Sequence, residues 1–160
     1  MKKTLILLVA VCCVFLLTGC GSSSVSNNAS VEDLLDDYIE AFMKADNKKL
    51  LNIFPSFMES DVNKYFSEEA LKNQVASLKE QYGDDFKITY KINETIKATD
   101  EQLSTFNNSL KNHYSNAIEA SECYAYDGEF VYKGSKSSET GSLSDIVYCK
   151  FDNAWKLVIS

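Results

Sequence analysis

The chain has 160 residues, one domain's worth, and 45% of them are hydrophobic, which excludes a chain disordered throughout. All 16 basic residues are lysine, set against 23 acids, for a net charge of −7. Lys2 and Lys3 stand in an N-terminal stretch without acids, so the remainder is more acidic still, which excludes nucleic-acid binding and charge-driven attachment to anionic lipid.

Residues 1–20 read MKKTLILLVAVCCVFLLTGC. Lys2 and Lys3 form a positive start, and Thr4 to Leu17 form an apolar run of 14 residues. A helix needs about 20 apolar residues to span a bilayer, so the run reads as a signal peptide over residues 1–19. Leu17-Thr18-Gly19-Cys20 resembles the lipobox of bacterial lipoproteins. That resemblance implies a diacylglyceryl group on the Cys20 thiol, cleavage before Cys20, and a place on the extracytoplasmic face of the cell membrane. The implied partner is thus the membrane itself, through the lipid on Cys20. Residues 20–29 are small and polar after the cysteine and predict a flexible tether. Two acyl chains anchor stably where one would be marginal. Abundant lysine without arginine, together with asparagine, isoleucine and tyrosine, points to an AT-rich, Gram-positive source.

A single domain is expected over residues 30–160. Ser30 caps a first helix, whose stripe Val31, Leu34, Leu35, Tyr38, Ile39, Phe42 and Met43 follows the helical period. Asp46-Asn47 breaks it, and a short second helix carries Leu50, Leu51, Ile53 and Phe54 up to Pro55. Phe57 to Phe66 reads as an apolar connection with one further turn. Ser67 caps a third helix with Leu71, Val75, Leu78 and Tyr82 inward and Gly83 just past its end. The period then changes. Phe86, Ile88, Tyr90 and Ile92 alternate with polar residues in a half-buried strand. Thr99 to Gln102 opens another helix with Leu103, Phe106, Leu110 and Tyr114 inward. A long strand is expected from Ile118 to Lys133, bulged or bent at Asp127-Gly128, with a tight hairpin there as the alternative. Gly134 to Ser142 reads as polar loop, Leu143 to Phe151 as a strand, Asp152-Asn153 as a turn, and Trp155 to Ile159 as the last strand. Trp155 is expected to be largely buried.

Cys12 and Cys13 leave with the signal, and Cys20 is lipidated, so Cys123 and Cys149 remain as an even pair in an exported domain. If their strands pair about a tip near Lys136, opposite residue numbers sum to about 272, which sets the two cysteines face to face. Two buried free thiols are the alternative. Two cysteines and one histidine lack metal-ligand spacing, so no metal is expected.

Amphipathic helices before a mostly antiparallel sheet predict an α+β domain with helices packed on one sheet face. This order resembles the cone-shaped family named after nuclear transport factor 2, also called SnoaL-like or cystatin-like, and more narrowly Gram-positive lipoproteins with that domain. The resemblance is carried by Val31 to Ala45, the short Asn47–Phe54 helix, and the close from Val147 to Leu157 with its Trp155-Lys156 pair. The helix near residues 100–114 departs from the simplest family pattern. The family implies a curved sheet around an interior that in some members is the pocket of an isomerase, cyclase or dehydratase. Such chemistry needs a base and an oxyanion donor facing one another in a dry cavity. Tyr38, Tyr90, Tyr124 and Tyr126 are candidate donors, and Asp37 and Glu122 candidate bases, although both acids fall on polar faces. His113 reads as an edge or packing residue. No phosphate loop, nucleophile elbow or zinc-helix motif occurs, Ser109 and Ser121 lack a histidine to activate them, and no cofactor is implied. Tyr124, Tyr126, Phe130 and Tyr132 share one face of a regular strand, as core or as a platform for a hydrophobic ligand. The favoured reading is a non-catalytic domain that binds an envelope protein or a small hydrophobic ligand. A small-molecule enzyme is the alternative, and a filled or open interior separates the two.

Overall fold

In a computed structural model, which describes residues 29–159, the opening stripe forms α1 (Ala29–Met43). The signal segment and Cys20 lie outside the described residues, as does all of the tether but Ala29. Ser30 lies inside α1 rather than at its cap. Leu35 and Ala41 are fully buried, with Tyr38, Ile39 and Phe42 packed beside them. Ala45 takes a left-handed φ of 53°, which turns the chain out of α1. Asp46 then caps α2 (Asn47–Ile53), its carboxylate accepting from the Lys49 N–H at 2.9 Å.

The stretch expected as a connection folds further than one turn. A 3-10 turn (Ser56–Met58) runs into α3 (Glu59–Tyr65), because Phe57, Met58 and Val62 are all buried and a helical course points them one way. Ser67 caps α4 (Glu68–Tyr82) by accepting from the Ala70 N–H, and Glu68 and Glu69 suit the positive end of its dipole. Gly83 follows with φ 110° and ψ 160°, open to glycine alone, and a Cβ there would lie 2.5 Å from the Ser135 hydroxyl oxygen. α5 (Asp100–His113) carries the full capping box between Thr99 and Gln102.

The strands are β1 (Lys87–Lys97), β2 (Glu122–Lys133), β3 (Ser138–Ser142), β4 (Ile146–Phe151) and β5 (Ala154–Ile159). All neighbours are antiparallel in the order β1-β2-β4-β5, and β3 pairs with β2 end to end with β4. Four helices precede the sheet and α5 is inserted between β1 and β2. The architecture is α+β and consistent with a cone-like fold.

Three expectations are corrected here. First, β2 starts at Glu122, not Ile118, which is 40% exposed. The Asn107 side chain takes both backbone groups of Ala120, its amide donating to the carbonyl at 3.0 Å and its oxygen accepting from the N–H at 2.8 Å. Those groups are then not free for a ladder. Second, β2 runs straight through Asp127-Gly128 with no hairpin. The extra residue is Asn93 on β1, between the pairs Ile92–Gly128 and Glu94–Asp127. A Cβ on Gly128 would stand 2.3 Å from the Lys91 carbonyl oxygen, so the bulged strand presses against this glycine. Third, Ser138–Ser142, expected as loop, is a strand. It borders only β2 and is exposed along most of its length, so no apolar alternation marks it. The next strand in the chain, β4, begins at Ile146, since Leu143 to Asp145 turn the chain. Trp155 packs against the core as expected, with part of its surface left open because it sits beside the hairpin tip on the edge strand β5, opposite Lys150.

Asp152 and Asn153 both have positive φ, 46° and 66°, the I′ geometry that suits a two-residue hairpin. Ile146, Val147, Tyr148 and Cys149 are buried in succession, so β4 is covered on both faces. The tip between β2 and β3 is clasped by the end of α4. The Lys136 N–H donates to the Tyr82 carbonyl at 2.8 Å, the Ser137 hydroxyl to the Gln81 carbonyl at 2.9 Å, and the Ser135 N–H to Asp85 at 2.9 Å. The Tyr82 hydroxyl donates to Glu139 at 2.8 Å, and its ring stacks on Tyr132.

Candidate functional site

The interior is filled by side chains. Tyr126, Phe54, Phe106 and several leucines are fully enclosed, and among the described residues no charged side chain is buried. The acids weighed as bases lie at the surface and are engaged. Asp37 pairs with Lys49 at 2.8 Å. Glu122 pairs with Lys97 at 3.1 Å and accepts from the Tyr124 hydroxyl at 3.3 Å. The Lys97 ammonium holds the Glu122 carboxyl below its usual range, which weakens it as a base.

The tyrosines are spent on packing. Tyr148 stacks on Tyr124 and leans on Tyr126, each at 5.0 Å between ring centroids, and Trp155 closes the group at 5.3 Å from Tyr148. The sequence marked the β2 members of this set but not the pivot, Tyr148, which the β2–β4 register supplies. Burial pushes the Tyr148 hydroxyl up to about 12 and pushes the Tyr126 and Tyr38 hydroxyls up as well. Lys97 and Lys150 lie over the Tyr124 and Trp155 rings. Phe130 and Tyr132 continue the row toward Tyr82.

His113 is half exposed at the end of α5, its Nε2 3.9 Å from Asp61. Its ring rests edge-on against Tyr114, whose hydroxyl donates to the same Asp61 carboxylate at 2.6 Å. Burial, with Asp61 second, pushes the Tyr114 hydroxyl up. This group ties α5 to α3. The Ser121 hydroxyl donates to the Lys150 carbonyl, and Ser109 lies on α5. Cys123 and Cys149 are joined by a disulfide, 2% and 0% exposed.

A feature that periodicity does not show is a groove of about 520 Å³ between α1 and β1. Asp36, Asp37, Ile39 and Glu40 line one wall, and Ile88 to Tyr90 line the other. The two walls are about 50 positions apart, and only the sheet order places β1 beside α1 as an outer strand. The Tyr90 hydroxyl donates to the Glu32 carbonyl at 3.3 Å and fixes the groove's width at one end. Burial first, then a hydrogen bond with Asp36, pushes that hydroxyl up, and Glu32 and Asp33 add to the shift. Lys44 and Lys49 bind Glu40 and hold its carboxyl down at about 2. Among the described residues no helix is long and apolar enough to cross a membrane. No protein-family model matches the chain, and no curated protein and no solved structure matches it either.

Proposed function

We propose that this chain is a lipoprotein, anchored in the cell membrane through Cys20, that holds a non-catalytic binding domain of the nuclear transport factor 2 type on the extracytoplasmic face. The lipobox-like Leu17 to Cys20 supports the anchor. The filled interior carries the rest of the reading. Its tyrosines pack on each other, and its neighbouring acids pair with lysines at the surface, so among the described residues acid–base chemistry has no enclosed chamber to act in. Recognition then falls to the outer surface, which favours an envelope protein over a small hydrophobic ligand. The test is done in bacterial cells fed a clickable fatty acid, with photo-crosslinking residues placed on the domain surface. The wild-type chain is expected to take up the fatty acid and to cross-link to an envelope protein. Label that persists in Cys20→Ser overturns the anchor, and turnover of a small molecule by the purified domain overturns the non-catalytic reading.

A further inference from the structure

β1 is an outer strand: it pairs with β2 along one edge and with no other described strand along the other. An open edge presents a row of backbone donors and acceptors to any extended chain that approaches. The groove beside α1 runs along residues 88–90 of this edge. The regular part of β1, Lys87 to Ile92, ends at the Asn93 bulge and would take an added strand of about six residues, roughly 20 Å long.

The two faces of such an added strand would meet different surroundings. On the Tyr90 side stand Ile39 and Ile88, and Asp36, Asp37 and Glu40 line the groove with them. α1 carries five acids between Glu32 and Glu40, answered at the groove, among the described residues, by Lys44 and Lys49. On the other side stand Lys87, Thr89 and Lys91, all exposed. A lysine on the Tyr90 side can lay its aliphatic stem on Ile39 and Ile88 and bring its ammonium to the acids. On the other side Lys87 and Lys91 repel a second cation and accept an uncharged residue.

We propose that the α1–β1 groove receives an extended segment of a partner protein, added as a strand to the free edge of β1, with basic side chains at alternate positions facing α1. This rests on the binding reading above and specifies its surface. The mode is strand addition, in which main-chain hydrogen bonds supply affinity and alternate side chains supply choice of partner. The acidic wall supplies the charge complementarity.

The probe is a peptide of about eight residues alternating lysine and threonine, titrated into the full-length chain in neutral detergent micelles and followed by amide resonances. Shifts confined to Lys87–Ile92 and to α1 are expected, with binding weakened at least about 10-fold at high salt. A peptide of the same sequence, N-methylated at alternate residues, keeps the charge but loses the ladder and is expected not to bind. A glutamate–threonine peptide is also expected not to bind. Equal binding of the N-methylated peptide overturns strand addition, and absence of any β1 shift with the lysine peptide overturns the groove as the site. Peptide-free dimers with protected β1 amides overturn the proposal in favour of a second copy. Cross-links to an envelope protein that leave β1 and α1 untouched also overturn the groove, while leaving the anchored binding domain in place.

Discussion

Cys123 lies directly opposite Cys149 in the β2–β4 ladder, with their Cα atoms 4.1 Å apart and their sulfurs joined. The next pair along, Tyr124 and Tyr148, stacks ring on ring. Bridge and stack therefore occupy adjacent rungs and lock the same register from opposite faces of the sheet. The bridge spans a sequence separation of 26, which in the chain-entropy account stabilises by about 3–4 kcal/mol. The double substitution of Cys123 and Cys149 by alanine is expected to lower unfolding stability by about that much. Intact mass of unreduced, alkylated domain gives the direct check: no label on either cysteine is expected, and two labelled thiols would reject the bridge.

Gly128→Ala is expected to destabilise by about 1–3 kcal/mol, as overpacking does. The new methyl would meet the Lys91 carbonyl at 2.3 Å and the Leu143 side chain at 2.9 Å, and the first is backbone that yields only if β1 moves. A urea midpoint equal to that of the wild type would show that the Asn93 bulge relaxes freely.

Trp155→Ala is expected to cost about 2 kcal/mol, below the usual range for a fully buried tryptophan, because part of the side chain stays open to water. It packs on Tyr148 and Tyr124 and carries Lys150 over its face. The native emission maximum is expected between those of a buried and a water-exposed indole. A maximum at the fully buried position would contradict the half-open placement.

Alkaline pH is expected to unfold the domain between about pH 10 and 12. Burial, their largest cause, raises the Tyr82 and Tyr148 hydroxyls to about 12 and pushes Tyr90, Tyr114 and Tyr126 up as well. Above the ordinary tyrosine value the folded state holds more protons than the unfolded one. The stabilisation is complete below about pH 10 and is lost as pH rises through the folded values. Tyrosinate absorbance and circular dichroism are expected to change together. Full ionisation near pH 10 with native dichroism would show that these hydroxyls are open to water.

Much of the fold is legible in the residues. α1, α4 and α5 announce themselves by apolar period and by caps whose hydrogen bonds form, at Ser67 and at Thr99 with Gln102. The β4–β5 hairpin follows from Asp152-Asn153 between apolar runs. The β2–β4 register is arithmetic once the tip lies near Lys136. β3 is not legible, since a strand bare on both faces needs no apolar alternation. The true start of β2 is hidden because one side chain, Asn107, takes up the backbone of Ala120. The α1–β1 groove is hidden for a different reason. Its walls are individually ordinary, and only the order of strands makes β1 an edge and sets it near α1.

The clasp on the β2–β3 tip has a consequence for proteolysis. Gly134 to Ser137 has the composition of a protease-sensitive loop, with Lys136 offering trypsin a cleavage point. Yet the Lys136 ammonium is turned onto the Glu80 carbonyl at 3.1 Å, and its own N–H is held by Tyr82. A protease must draw a substrate out as an extended strand, which here means peeling the tip off α4 and breaking the bonds at Ser135 and Ser137 as well. Under native conditions trypsin is therefore expected to spare Lys136. Tyr82→Phe, which removes the bond to Glu139 beside the tip, should be the change that first exposes it.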